Sequence, residues 1–219
     1  MEKILEGNTA HLVGKVLSEL KFSHKTYGES FYILLLGVLR KSGYEDCIRL
    51  MVSERLMGGL DLEPGCFLEV SGQIRTYNEE RDGKNRLNVV VFARELRNLE
   101  EEATYENHVF LEGFVCKQPV RRTSPLGREI CDIMLAVNRM YNKSDYIPCI
   151  AWGRNAAFGG EQEVGRKLRL EGRIQSREYK KRDDEGNVSV KTAYEVSVIK
   201  IEQCPLQTES IDTEIDSQD

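Results

Sequence analysis

Residues 168–179, in the second half of the chain, place basic and aromatic side chains on one face of a predicted strand. Alternate residues of a strand point to opposite faces. One parity is apolar, with Leu168, Leu170, Gly172 and Ile174, and the other carries Arg169, Arg173, Arg177 and Tyr179. Further basic residues follow in Lys180, Lys181 and Arg182, and others lie at Arg121 and Arg122. Such a face is ordinary solvated surface in many proteins, but it is also what a groove that follows a phosphate backbone requires.

Catalytic and metal-binding motifs are not visible in the sequence. The six cysteines are scattered without a CxxC pair, and the three histidines stand far from them. Neither a zinc-ligand spacing, a disulfide framework, a Gly-rich phosphate loop nor an HExxH motif can be identified. We therefore expect a protein that is not an enzyme, with no cofactor or metal and with buried, reduced thiols.

The net charge of −5 argues against nucleic acid only if the chain is treated as uniform. Residues 1–103 carry 14 basic and 17 acidic side chains, residues 104–204 carry 17 and 14, and residues 205–219 carry 0 and 5. The positive charge that phosphate binding needs is thus concentrated in the middle segment.

The chain contains an internal repeat of about 100 residues, a length typical of a small domain. Residues 8–16 (NTAHLVGKV) match residues 107–115 (NHVFLEGFV), and residues 64–74 (PGCFLEVSGQI) match residues 164–174 (VGRKLRLEGRI). We interpret these as two copies of one domain, joined near residues 100–106. The predicted boundaries are 1–103, 104–204 and an acidic tail at 205–219, and we expect the two domains to have separate sheets.

Each copy is typical of β-structure. In the second copy, β-branched, aromatic and alternating residues predict strands at 109–115, 130–137, 146–152, 168–179 and 192–201. A short helix fits between the third and fourth strands, at 155–163, and residues 183–187 predict a hairpin turn. This is the OB-fold layout. The predicted fold class is all-β with short helices: two tandem five-stranded OB-fold barrels and a disordered acidic C-terminal tail.

The second copy resembles the bacterial single-stranded DNA-binding protein family. The resemblance rests on separate blocks in family order: residues 107–113, Pro119, 135–139 (LAVNR), 147–156 (IPCIAWGRNA), 164–165 and 171–179 (EGRIQSREY). The first copy resembles the family only at its glycines. The resemblance implies sequence-independent binding of single-stranded DNA in replication, recombination or repair.

Family members stack bases on aromatic side chains, and the matching positions here are Tyr141, Tyr146, Trp152 and Tyr179. Aromatic rings at such positions could instead fill the barrel core. With the neighbouring basic residues, the implied DNA-binding set is Tyr141, Tyr146, Trp152, Tyr179, Arg121, Arg122, Arg139, Arg173, Arg177 and Lys180.

The first copy lacks the matching aromatics, since Ser42, Cys47 and Ser53 fall opposite Tyr141, Tyr146 and Trp152. We expect it to serve assembly or partner contacts. The family resemblance implies four OB-folds per assembly, hence a homodimer, with replication or repair proteins as possible partners. The acidic tail lacks the terminal Pro-Phe with which family tails recruit such partners, but it could compete with DNA for a basic groove.

Two rival interpretations remain open: an adaptor of the primosome type that mainly binds protein, and an RNA-binding OB module. No apolar run approaches the roughly 18 residues of a membrane span. The first residues lack the apolar core of a signal peptide. We therefore expect a cytoplasmic, nucleoid-associated protein without a membrane segment.

Overall fold

A computed structural model describes residues 7–81, 83–99, 103–182 and 186–205. The first copy forms six strands within these residues: β1 (Asn8–Val16), β2 (Lys21–Thr26), β3 (Glu29–Leu39), β4 (Glu45–Ser53), β5 (Phe67–Arg81) and β6 (Lys84–Leu99). The second copy forms β7 (Glu106–Val115), β8 (Val120–Thr123), β9 (Glu129–Asn138), β10 (Ser144–Trp152), α1 (Arg154–Gly160), β11 (Lys167–Arg182) and β12 (Val188–Gln203).

Five strands of each copy close into a barrel. In the first copy the closed order is β1-β3-β4-β6-β5, and in the second it is β7-β9-β10-β12-β11. In β11, buried apolar residues alternate with outward-facing residues, as expected of a strand with one face on the core. Leu168, Leu170 and Ile174 are the buried ones. The predicted OB-fold barrels are confirmed.

A sixth strand in each copy was not predicted. Strands β2 and β8 pair only with β3 and β9, at the edge of each barrel. Arg121 and Arg122 therefore lie on an edge strand that was not predicted from the sequence. All residues of β2 and β8 are exposed, so neither strand carries the alternating apolar signal that identifies a half-buried strand.

Helical structure between the third and fourth barrel strands differs between the copies. The second copy has α1, which overlaps the predicted region 155–163 and begins one residue before it, and the first has a 3₁₀ turn at Glu54–Leu56. The β11–β12 hairpin is paired as far as Arg182 and Val188. The turn residues 183–185, the linker 100–102 and the tail 206–219 lie outside the described residues.

Two glycines of the repeat mark β-bulges at equivalent corners of the barrels. The pairing register shifts at Gly72 in β5 and at Gly172 in β11. A Cβ atom on Gly72 would overlap the carbonyl oxygen of Phe92, and one on Gly172 would overlap that of Ser197. Only glycine permits so close an approach of two backbones.

The expectation of separate sheets is wrong, because one strand ladder runs through both barrels. Strand β3 pairs with only two residues of β1, Lys15 and Val16. Strand β9 likewise pairs with only two residues of β7. The rest of each strand would be an open edge with unpaired N–H and C=O groups. These edges pair with each other, antiparallel, from Asn8↔Leu111 to Val13↔Glu106. We call the β1–β7 pairing, together with the contacts of β4 with β11 and of β5 with β10 on its two sides, the seam.

The asparagines that begin both repeats continue the ladder with their side chains. Asn8 Nδ2 donates to the Ile74 carbonyl at 2.7 Å, and the Ile74 N–H donates to Asn8 Oδ1 at 2.9 Å. Asn107 makes the equivalent pair with Ile174, at 2.8 and 2.9 Å. Each asparagine carboxamide thus hydrogen-bonds the backbone N–H and C=O of Ile74 or Ile174. It does so near the N-terminal end of β1 or β7, where that strand pairs across the seam.

Candidate nucleic-acid interface

A buried carboxylate from the first barrel ties it to β11 of the second. The side chain of Asp46 is not exposed at all, and its Oδ1 accepts the backbone N–H of Ser176 at 2.8 Å. Arg40 donates from Nε and Nη2 to Asp46 at 2.6 Å each. These hydrogen bonds raise the pKa of Arg40, because they stabilise its charged form.

The other side of the seam repeats this arrangement with the barrels exchanged. Asp145, also fully buried, accepts the backbone N–H of Thr76 at 2.6 Å. Arg139 donates to Asp145 at 2.7 Å and to the Thr76 carbonyl at 3.1 Å, and Arg75 donates to Asp145 at 3.0 Å. The predicted DNA contact Arg139 is therefore engaged in holding the two barrels together.

A groove of about 710 Å³ runs over the outer face of the second barrel beside the seam. Three predicted residues, Trp152, Arg173 and Arg177, line it together. Further lining side chains are Arg40, Tyr44, Arg128 and the acidic Glu178. We call this the second-barrel groove. Its lining combines four arginines and two aromatic rings with one acid, which suits a polyanion with stacking bases.

The alternative that the four predicted aromatics fill the barrel core is wrong. Exposed fractions are 89% for Tyr141, 50% for Tyr146, 37% for Trp152 and 39% for Tyr179. The core of the second barrel is aliphatic, with Leu111, Leu135 and Ile147 among its fully buried side chains. The aromatic rings are therefore available to a ligand.

Tyr141 does not lie in the second-barrel groove with Trp152, Arg173 and Arg177. The loop between β9 and β10 carries it to a cavity of about 1010 Å³ on the first barrel, where Tyr77, Phe92 and Arg75 also contribute lining. Arg139 lines the same cavity. Tyr146 lies between the barrels, with its backbone N–H donating to Thr76 Oγ1 at 2.9 Å.

The remaining predicted residues do not line the second-barrel groove and lie on β8 and on the outer end of β11. Tyr179 and Lys180 are on the exposed end of β11, where the guanidinium of Arg177 lies 5.9 Å from the Tyr179 ring. Arg121 pairs with Glu129 at 3.0 Å, and Arg122 pairs with Asp132 at 2.6 Å, both on the surface. Exposed ion pairs contribute little free energy, so a phosphate can replace the carboxylate.

Sequence reasoning missed Arg40, Tyr44 and Arg128 as groove residues. A signal for the first was present, because Arg40 and Asp46 repeat as Arg139 and Asp145 at the same offset of 99. An Arg–Asp pair repeated in both copies indicates a shared structural role. No signal distinguishes Arg128, which follows the turn at Gly127 and reaches the groove only in the folded barrel.

Within the part of the chain that the structure describes, no three His, Cys, Asp or Glu side chains form a group that could hold a metal ion. Among the same residues, no helix has the length and apolar character needed to span a membrane.

Comparison with known proteins extends the family resemblance. The profile of the single-strand binding protein family matches residues 106–203. The single-stranded DNA-binding protein of Fusobacterium nucleatum is 32% identical over 120 residues, which cover 51% of this chain and 75% of the relative. The chain belongs to the single-strand binding protein family. The matched region is the second barrel, as the sequence blocks predict.

A further sequence relative and a solved structure are similar to the chain over different shares of their length. The Clostridium tetani single-stranded DNA-binding protein is 32% identical over 84 residues, and the chain spans 58% of it. A solved structure of the single-stranded DNA binding protein from Thermus aquaticus, a deletion mutant, aligns with a TM-score of 0.73 at 24% identity. This alignment covers 94% of the present chain and 97% of the Thermus chain, so the two-barrel fold is shared.

Proposed function

We propose that the protein binds single-stranded DNA without base-sequence preference and without catalysing a reaction. The observation that carries this proposal is the convergence of Trp152 with four arginines in the second-barrel groove, on the barrel that matches the family profile. Every base has a π face, so a ring stacks on any sequence, and arginines pair with the phosphates that all sequences share.

The exposed end of β11 extends this surface. Tyr179 continues the line of Arg173 and Arg177 beyond the barrel, and Lys180 follows it with the opposite strand parity. A single strand in the groove would follow β11 outward, with bases on Trp152 and Tyr179. On β8, Arg122 pairs with Asp132 on the groove side of the sheet and would contact a phosphate, whereas Arg121 points to the opposite face, towards Gly160 of α1. Arg139 is left out of this contact set, because its hydrogen bonds hold the seam.

The three segments take different roles in the proposal. Residues 104–204 bind DNA, and residues 1–103 serve assembly or partner contacts. The acidic residues of 205–219 compete with DNA for the groove, so deleting 206–219 leaves DNA affinity equal or higher. The protein acts as a homodimer with four barrels, in the cytoplasm, during replication, recombination or repair. Light scattering should give twice the 25.1 kDa mass of one chain.

Titration with oligo-dT and oligo-rU at two salt concentrations tests the proposal. Trp152 is the single tryptophan of the chain, so its fluorescence reports directly on the groove. Oligo-dT should quench it, with an affinity that falls as salt rises. Tighter binding of oligo-rU would favour an RNA-binding module instead. Absence of binding to either strand would overturn the proposal and favour an adaptor that binds protein.

A further inference from the structure

The second-barrel groove is not built from the second barrel alone. Arg40 stands at the end of β3 and Tyr44 just before β4, both in the first barrel. Both nevertheless line the same groove as Trp152 and Arg173. The seam brings them there, because Asp46, at the start of β4, is hydrogen-bonded to Ser176 of β11.

Arg40 is held in one orientation. Its Nε and Nη2 donate to the two oxygens of the buried Asp46 carboxylate, so the planar guanidinium is fixed on one edge. The ring of Tyr44 lies over it, 4.6 Å from Cζ to the ring centroid. Nη1 has no hydrogen-bond acceptor among the described residues. A fixed guanidinium with a remaining donor is a pre-organised contact for a phosphate oxygen.

The charge of the groove is not balanced by its own carboxylates. Arg173 makes no ion pair or hydrogen bond with an acid in the described part of the chain. Burial lowers the pKa of Arg173, and the positive charge of Arg40 lowers it further, while Asp46 opposes this. Both guanidiniums line the second-barrel groove, and their positive charges repel each other there. An anion between them would relieve that repulsion.

We infer that Arg40 and Tyr44 of the first barrel are DNA-contacting residues of the second-barrel groove, Arg40 binding a backbone phosphate and Tyr44 stacking on a base. This inference rests on the proposed function. The ring of Tyr44 is 46% exposed, so a base can reach it while it packs on Arg40. Asp46 is a positioning residue, since it is buried and acts through Arg40. The first barrel therefore completes the DNA site of the second, besides any role in assembly.

The double variant Arg40→Gln/Asp46→Asn tests the phosphate contact. It removes both charges together, so no buried charge is left unpaired, and the Asn carbonyl can still accept the Ser176 N–H. The slope of log affinity for oligo-dT against log salt should flatten by about 0.7, the value for one phosphate contact on a single strand. Arg97→Gln is the matched control, because Arg97 is an exposed, ion-paired arginine that lines neither the second-barrel groove nor the cavity that contains Tyr141.

Tyr44→Ala tests the stacking contact and remains informative if the double variant does not fold. Loss of the ring removes its contact with Arg40 and the hydrogen bond that its hydroxyl donates to the Ser176 carbonyl at 3.5 Å, so the unfolding midpoint should fall slightly, while oligo-dT affinity falls about tenfold. The inference is overturned if folded Tyr44→Ala and the double variant both bind like Arg97→Gln. If the unmodified protein binds oligo-dT with Trp152 quenching in that case, the proposed function stands and only the first-barrel contribution fails. If the unmodified protein binds no DNA, both fall.

Discussion

The carboxylate of Asp46 in the first barrel accepts a hydrogen bond from the backbone N–H of Ser176 in the second barrel, with Oδ1 2.8 Å from the nitrogen. Ser176 also accepts the backbone N–H of Cys47 through its Oγ, at 2.9 Å. Its neighbour on β11 is Arg177, which lines the second-barrel groove. The contacts that join the barrels therefore also determine where the groove residues of β11 lie.

Replacing Asp46 by alanine should lower the free energy of unfolding by about 3 kcal/mol, because it removes a buried carboxylate that accepts hydrogen bonds from Arg40 and from the Ser176 N–H. Asp46→Asn should cost less, since an amide oxygen still accepts the Ser176 N–H. Urea unfolding followed by circular dichroism measures both. Asp132→Ala is the control: its ion pair with Arg122 is exposed, and its loss should cost about 1 kcal/mol or less. Equal costs for Asp46→Ala and Asp132→Ala would contradict a structural role for the seam carboxylate.

Replacing Trp152 or Tyr179 by alanine should each weaken oligo-dT binding by about 1–3 kcal/mol, the contribution of one stacked base. Fluorescence anisotropy of a labelled strand measures this without relying on tryptophan. Thermal melting must accompany it, because Trp152 is partly buried and its loss also costs folding free energy.

Ser53→Ala, the matched change in the first barrel, should leave affinity unchanged. It should still lower stability by about 1 kcal/mol, because Ser53 is buried and its Oγ caps the 3₁₀ turn by accepting the Arg55 N–H at 3.2 Å. Loss of DNA affinity in Ser53→Ala equal to that in Trp152→Ala would contradict the assignment of Trp152 to stacking.

The buried thiol of Cys149 should make stability fall at alkaline pH. Burial raises the pKa of Cys149 above its ordinary value of 9.0. The unfolded chain therefore ionises first, so the stabilising contribution is complete below about pH 9 and is lost as pH rises above it. In that range Cys149→Ala should show a shallower decline than the unmodified protein, by up to about 1.4 kcal/mol per pH unit. Parallel pH profiles of the two proteins would argue against a buried, protonated thiol.

Gly172→Ala should destabilise the second barrel by about 1–3 kcal/mol, because the added methyl group would overlap the carbonyl of Ser197 at the bulge. Gly58→Ala is a suitable comparison, since an added Cβ there meets nothing within 4 Å. Thermal unfolding of both variants measures the difference. If Gly172→Ala left the stability unchanged, the backbone of β11 at the bulge would be able to move away from β12.

Much of each barrel could be predicted from sequence because its signals are local or repeated. The alternation from Leu168 to Ile174 identifies the buried face of β11, and Gly72 and Gly172 mark the same corner in both copies. Strands β2 and β8 escaped prediction for the converse reason, since they bury no alternating face. The separate treatment of the two sheets failed because the seam pairs backbone groups, which every residue except proline carries alike.

The sequence by itself determined the repeat, the OB-fold of each copy and the family of the second. It also determined which residue types could stack on bases or bind phosphates. Only the tertiary structure decided which barrel each of them serves. It moves Tyr141 to the cavity of the first barrel, engages Arg139 in the seam and brings Arg40 and Tyr44 into the groove of the second. The physical reason is distance along the chain: Asp46 and Ser176 are 130 residues apart, so no local pattern of residues indicates the hydrogen bond that brings Arg40 and Tyr44 to the groove.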